Sequence, residues 1–349
     1  MSKITKPTKP FRVPKFVAKT VYATSANNSF GLVNRWIIAS NANRLWEIKG
    51  DLVDEFKKLI IWVCDTGVNT MHPQLRPLKD MGLLTGKSYV AGEAWNTDGH
   101  GHGSHTLSNI VSYNKLSDII SHNWIVLSII PYQIKNVHMC KVLNNEGQGD
   151  FNAIKEVLID IKNLPDSDKP HIVNLSLSGP KEIQYLALGE EIMQLIKELS
   201  RYTLFIVAAG NTGMNPDKDV QFPACIEDAY AISNIQDINT LSFLSSRGER
   251  VDYGFFGKDQ LGASGNNDGY TVKSGTSMAA PAFASCAAYF LCCMSKLGLD
   301  RITSIWSFKM YLRQKKLLFD YGAPGEDDFT GEGIIYISET LDLKTLFNT

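Results

Sequence analysis

Three segments of this 349-residue chain carry side chains that, brought together, could turn a hydroxyl into a nucleophile. Gly275-Thr276-Ser277-Met278-Ala279-Ala280-Pro281 sets a serine between a tight glycine turn and an apolar run that reads as a buried helix. Unpaired N–H groups and the positive end of the dipole at such a helix start favour a developing negative charge. A serine there is also an ordinary N-cap residue, so this segment alone decides nothing. The second segment, Leu59-Ile60-Ile61-Trp62-Val63-Cys64-Asp65-Thr66-Gly67, is a strand-like run ending on a carboxylate, and the third, Asp98-Gly99-His100-Gly101-His102-Gly103-Ser104-His105, opens a helix with histidines. Asp, then His, then Ser is one of the chain orders in which a Ser-His-Asp set occurs. Leu204-Phe205-Ile206-Val207-Ala208-Ala209-Gly210-Asn211 adds another buried strand that ends on a polar side chain.

With Asp65-Thr66-Gly67, His102-Gly103-Ser104-His105, Ala209-Gly210-Asn211 and Gly275-Thr276-Ser277-Met278-Ala279 in this order, the sequence resembles the subtilisin-like serine proteases, the subtilase family. Weaker matches at His72-Pro73-Gln74-Leu75, Lys141-Val142-Leu143, Asn174-Leu175-Ser176-Leu177-Ser178-Gly179-Pro180 and Gly331-Glu332-Gly333 extend the resemblance from about Trp36 to about Leu341. It implies a serine endopeptidase in which His102 takes the proton of Ser277, Asp65 orients His102, and the Asn211 side chain with the Ser277 N–H forms an oxyanion hole. It also implies two edges, Gly147-Gln148-Gly149 and Ser176-Leu177-Ser178-Gly179, that clamp an extended polypeptide substrate by main-chain hydrogen bonds. Gln221 is expected at the bottom of the primary pocket, where a neutral amide selects weakly for basic side chains.

No cofactor is required for that chemistry. Many family members hold a structural calcium with an aspartate where this chain has Gln74, and loss of a charged ligand weakens such a site. His100, His102 and His105 are close enough in sequence to suggest a metal site instead. A structural zinc would need nearby cysteines, and a metalloprotease would show an HExxH helix, which is absent. His102 is the expected base because it precedes Gly-Ser-His, and His105, one turn on, reads as structural.

Stretches 59–64, 137–143, 171–177 and 203–209 read as strands, and 102–112, 151–163 and 184–200 as helices. This alternation predicts an α/β fold of three layers, a mainly parallel central sheet flanked by helices, with functional groups at the carboxyl ends of strands. The run Pro281 to Cys293 is apolar nearly all round, which predicts a buried central helix that does not span a membrane. A hydrophobic content of 44% suits a sizeable core, and a net charge of −1 recommends neither nucleic acid nor membrane as a partner. Cys64, on a strand, should face away from Asp65. Six cysteines set mainly in apolar segments suggest reduced core thiols and a cytoplasmic location.

Residues 1–28 form a distinct arm with Lys3, Lys6, Lys9, Arg12, Lys15 and Lys19, three prolines and no acidic residue, ahead of a catalytic domain over 29–349. Such a segment reads either as a solvated tail or as a strip, from Pro7 to Phe16, laid across the substrate cleft. The 64 residues before Asp65 leave no room for a long folding prodomain, which resembles the intracellular type of subtilase. Two other readings stay open. A peptide ligase or macrocyclase would intercept the same acyl-enzyme with an amine under a water-excluding cap, for which 111–136 is the candidate. A non-catalytic peptide-binding module would be expected to lose a member of the Ser-His-Asp set, and none is missing. Glu326, Asp327 and Asp328 read as a solvated loop.

Overall fold

The computed structural model describes residues 11–12, 32–113, 125–216, 218–237, 240–299, 305–321 and 324–348. Its centre is a ten-stranded sheet. The strands, in chain order, are β1 (Ile60–Asp65), β2 (Leu84–Ser88), β3 (Asn136–Lys141), β4 (Ile172–Leu175), β5 (Leu204–Ala208), β6 (Tyr230–Asp237), β7 (Tyr253–Phe256), β8 (Leu318–Phe319) and β9 (Ile334–Ile335), with Thr240–Leu241 folded back on β6. Across the sheet they lie in the order β8-β9-β7-β6-β5-β4-β1-β3-β2. Every pairing along this path is parallel except β8 with β9. The mainly parallel sheet expected from the alternation of elements is therefore present.

A parallel sheet needs crossover helices, and those helices cover both faces, so its strands are apolar without interruption. All six residues of β1 are buried. Ile61 and Val63 enter the core beneath α1 (His102–Ile110) and α4 (Thr276–Lys296), whereas Ile60, Trp62 and Cys64 enter the core beneath α2 (Phe151–Lys162) and α3 (Ala187–Leu199). β5 divides in the same way, Leu204, Ile206 and Ala208 to one side and Phe205 and Val207 to the other. Cys64 thus faces away from Asp65's helix, as its place on a strand requires.

The outer helices show the opposite pattern. In α2 the buried residues Phe151, Ile154, Val157, Leu158 and Ile161 repeat at helical spacing, and Asp150 caps the start by accepting the Asn152 N–H at 2.7 Å. α4 differs, being buried from Thr276 to Met294. It is long and apolar enough to cross a membrane, yet it lies wholly inside the fold. Two of its polar groups find partners there: Ser285 Oγ donates to the Ile110 carbonyl at 3.0 Å and Tyr289 Oη to that of Leu45.

Observed elements lie within a few residues of their expected bounds, and the largest differences are informative. β4 stops at Leu175 rather than 177, since the chain beyond it makes no further pairing with β5. α3 begins at Ala187 rather than 184, after a 3-10 turn over Lys181–Tyr185.

Phe283 of α4 carries much of the packing between helix and sheet, stacked on Tyr253 with centroids 5.1 Å apart and edge-on to Phe255 at 5.9 Å. Phe283→Ala is expected to destabilise the protein by about 3–5 kcal/mol. Urea unfolding checks this, and a loss below about 1 kcal/mol would show that the cavity collapses or that the helix is not the organising element.

Candidate active site

β1 delivers Asp65 to its carboxyl end, and α1 begins with His102 directly above it. His102 Nδ1 lies 2.7 Å from Asp65 Oδ1, and both side chains are sealed from solvent. The Thr66 N–H also donates to Oδ1, at 2.7 Å. The carboxylate fixes the tautomer: Nδ1 carries the proton and Nε2 presents a lone pair. His102 Nε2 is buried and has no hydrogen-bond partner. Burial works against the charge on Asp65, but the His102 ring beside it and its hydrogen bonds hold the carboxyl below the usual carboxylate range. Thr106 lies close to this carboxylate without the alignment of a hydrogen bond.

Such a contact requires strand end and helix start to touch. A Cβ at Gly103 would stand 2.1 Å from the Gly67 carbonyl oxygen, so the glycine following His102 is a condition of the approach. The same junction is tied by Asp98, which the sequence reading passed over. Buried Asp98 accepts from Thr66 Oγ1 at 2.8 Å, from the Gly101 N–H at 2.8 Å, and from the Ser104 N–H and Oγ at 2.8 and 2.7 Å. Thr66 Oγ1 in turn accepts the Gly103 N–H at 2.8 Å. An acidic residue just ahead of a helix start was the available signal for this capping role.

Ser277 is the second residue of α4. Thr276 N–H donates to Asn211 Oδ1 at 3.1 Å, while those of Met278 and Ala279 reach the Gly275 carbonyl. Among the described residues the Ser277 N–H, alone of these four, has no acceptor, and the Ser277 hydroxyl has no hydrogen-bond partner. Thr276 also orients the Asn211 amide, donating to Oδ1 from its hydroxyl at 3.3 Å, so that both of these bonds engage the oxygen end of the amide. Asn211 follows β5 and Asp65 ends β1, two strands away, so the carboxyl ends of the sheet bring the carboxylate and the amide to one edge. α1 packs along α4, and Ser285, about two turns past Ser277, donates to the carbonyl of Ile110, about two turns past His102, so the two helix starts come to that edge together.

The neighbouring histidines divide as their surroundings dictate. His105 Nε2 is 2.9 Å from the Gln260 carbonyl, and its ring fills the space a Cβ at Gly262 would need. Burial, aided by the charge of Lys273, pushes its pKa down to about 3. His100 is held below the usual histidine range by burial and by His102. It stands over Gly147, where a Cβ would lie 2.7 Å from its Nε2 and where φ is +73°.

Around this centre lie the segments expected to hold substrate. Ser176, Leu177 and Ser178 continue past β4 with no backbone hydrogen bond to the rest of the described chain. Gly179 does not share that freedom: its N–H and carbonyl both pair with Phe222, at 2.8 and 3.1 Å. Opposite, Gln148–Gly149 forms a short antiparallel pair with Phe11–Arg12 of the N-terminal arm, Phe11 against Gly149 and Arg12 against Gln148. Gln221 is nearly buried against Gly210, and its Nε2 donates to the Asp219 carbonyl at 2.9 Å.

Gln74, the position considered for a calcium ligand, donates from Nε2 to the Ile125 carbonyl at 2.5 Å, and its Oε1 is buried with no hydrogen-bond partner among the described residues. Residues 114–124 of the candidate cap, and the arm other than Phe11–Arg12, lie outside the described residues.

Residues 57–296 match the sequence profile of the subtilase family. Subtilisin DY of Bacillus licheniformis is 26% identical over 232 residues, 66% of this chain and 76% of that protein. Subtilisin BL of Lederbergia lenta is 29% identical over 226 residues, 65% of this chain and 73% of its own length. The protein named major intracellular serine protease of Bacillus subtilis (strain 168) is 26% identical over 232 residues, 64% and 66% of the two chains.

The burial of His105 makes stability depend on pH. The unfolded chain protonates it near 6.5 and the folded chain only near about 3, so stability falls as pH drops through that window. The slope for this one group is about 1.4 kcal/mol per pH unit. Unfolding free energies between pH 7 and 4 should show a shallower slope in His105→Gln, and equal slopes in the two proteins would mean that His105 titrates freely in the fold.

Proposed function

Because the chain belongs to the subtilase family and is a serine-type endopeptidase, we propose that Asp65, His102 and Ser277 are the residues that cleave the peptide bond. The observation that carries this reading is the buried 2.7 Å contact between Asp65 and His102, which leaves Nε2 unpartnered beside the helix whose first turn holds an unbonded serine hydroxyl. His102 Nε2 takes the Ser277 proton as Oγ bonds to the substrate carbonyl carbon. The same proton passes to the amine as the C–N bond breaks, and water then repeats the sequence on the acyl-enzyme. Asp65 stabilises the imidazolium formed at each stage. The negative oxygen of each tetrahedral intermediate is received by Asn211 Nδ2 and the Ser277 N–H.

An extended polypeptide would lie between Ser176–Ser178 and Gly147–Gly149, adding a strand to each. The engagement of Gly179 by Phe222 limits the first edge to three residues. Gln221 closes the primary pocket without charge, which favours broad acceptance over selection of basic side chains. The arm uses the same β-augmentation: Phe11–Arg12 occupies the Gln148–Gly149 edge that substrate would take, which supports an inhibitory arm over a free tail. Six free cysteines suit a reducing, cytoplasmic setting, and no cofactor enters the chemistry.

A fluorophosphonate should add once to the folded chain, and Ser277→Ala or His102→Ala should abolish the adduct, read by intact mass. No adduct on either the full chain or its 29–349 form would defeat the assignment. Deleting residues 1–28 should raise peptide hydrolysis several-fold at unchanged fold, and equal or lower rates would refute the arm's restraint. Asn211→Ala should lower kcat by about 10²- to 10³-fold, the magnitude established for subtilisin's own side-chain donor and carried over here.

A further inference from the structure

Beneath the turn that bears Asp65 sits an ammonium group that the proposed chemistry does not use. Lys141 ends β3, in register with Asp65 on the neighbouring strand, and is 0% exposed. Its Nζ donates to the Thr66 carbonyl and, at 3.3 Å, to Asn145 Oδ1. Glu93 Oε2 is 3.0 Å away, close enough for an ion pair though out of line for a hydrogen bond. Asn145 Oδ1 also accepts the Gly99 N–H at 3.0 Å, and the Asn145 N–H donates to Glu93 Oε1 at 3.3 Å. Next to it, Asn144 accepts the Gln148 N–H on its side chain at 2.8 Å and closes the hairpin that ends in Gln148–Gly149.

Three loops therefore meet at one buried cation: the turn after Asp65, the loop leading to His102, and the edge hairpin on which the arm is paired. Burying an ammonium is costly, and one carboxylate with a carbonyl and an amide oxygen only partly offsets it. Packing alone would be served by methionine, an unbranched side chain of similar reach. What methionine cannot do is donate hydrogen bonds to the Thr66 carbonyl and to Asn145 at once.

We infer that Lys141 is a positioning residue of the active centre: it holds the Asp65 turn against the His102 loop and the substrate edge, so that the carboxylate meets Nδ1 in line. The inference rests on the reading of Asp65 and His102 as the working pair. Besides Asp65, His102 is faced by His100, ring centroids 6.0 Å apart, and His105 feels its charge, while Asp98 and Lys273 share the field of Asp65. All of these groups remain in the variants below.

Lys141→Met, Asn145→Ala and Glu93→Gln are compared with the unmodified chain. In Lys141→Met, kcat should fall about 10- to 100-fold with KM nearly unchanged, the pattern of a misplaced reacting group. The acid limb of the kcat/KM profile should move to lower pH, because a displaced carboxylate stabilises the imidazolium less, whereas loss of a distant positive charge alone would move it up. The low-field proton resonance of the His102–Asp65 bond should weaken in parallel. Asn145→Ala, at an exposed position, removes one strut with little risk to folding and should lower kcat by about two- to fivefold. Glu93→Gln leaves the ammonium on Thr66 and should lower Tm while keeping kcat. If Lys141→Met does not fold, Asn145→Ala and the proton resonance decide. Folded variants with unchanged kcat, acid limb and resonance overturn the positioning role while an unmodified chain that takes the fluorophosphonate keeps the hydrolase reading. An unmodified chain that takes none overturns that reading, and this inference with it.

Discussion

An imidazole and a carboxylate sealed together at 2.7 Å set the conditions that the surrounding structure must meet. The contact joins the end of a strand to the start of a helix, two backbones that normally stay a side chain apart. Closing that distance takes a glycine on the helix, a second glycine in the turn, and a hydroxyl and carboxylate, Thr66 and Asp98, that convert the bare N–H groups of the helix start into fixed attachment points. Below them the sheet must be parallel, so that several strands end at the same edge. It must also be covered on both faces, so that water does not compete for the carboxylate.

Two cores follow from that cover, one under α1 and α4 and one under α2 and α3, with the strands as their common wall. Past the carboxyl end of β4 the main chain at Ser176–Ser178 is left without internal backbone partners among the described residues. At Gln148–Gly149 the main chain is paired instead with the arm strand Phe11–Arg12. The extent of the unpaired stretch at Ser176–Ser178 is set by where β4 leaves β5 and where Phe222 takes up Gly179.

Most of the architecture was legible in the sequence because its periodicities are unusually pure. Strands buried on both faces give continuous apolar runs, outer helices give clean stripes, and α4 is apolar all round. The Asp, His, Ser and Asn segments were legible as motifs because each joins a structural demand, a glycine turn or a helix start, to a reactive group. Other parts depend on contacts between distant positions, and no local pattern announces them. Lys141 looks like a surface charge until the fold seals it. The direction of the Asn211 amide is decided by Thr276, and Gly179 is withdrawn from substrate by a residue more than forty positions away. The pairing of the arm with Gln148–Gly149 belongs to the same class, since two glycine-rich or proline-rich stretches carry no alternation to set a register.

The complete burial of α4 bears on how such a protein is made. A helix with no polar face has nowhere to rest until the sheet and α1 are there to receive it, and it comes late in the chain, after Asp65 and His102 are already synthesised. The first turn of α4, which carries Ser277, consequently takes its place only after the strands and helix that precede it are built. The buried core of this serine-type endopeptidase is thus closed by a segment from the last quarter of the chain, onto strands and helices made before it.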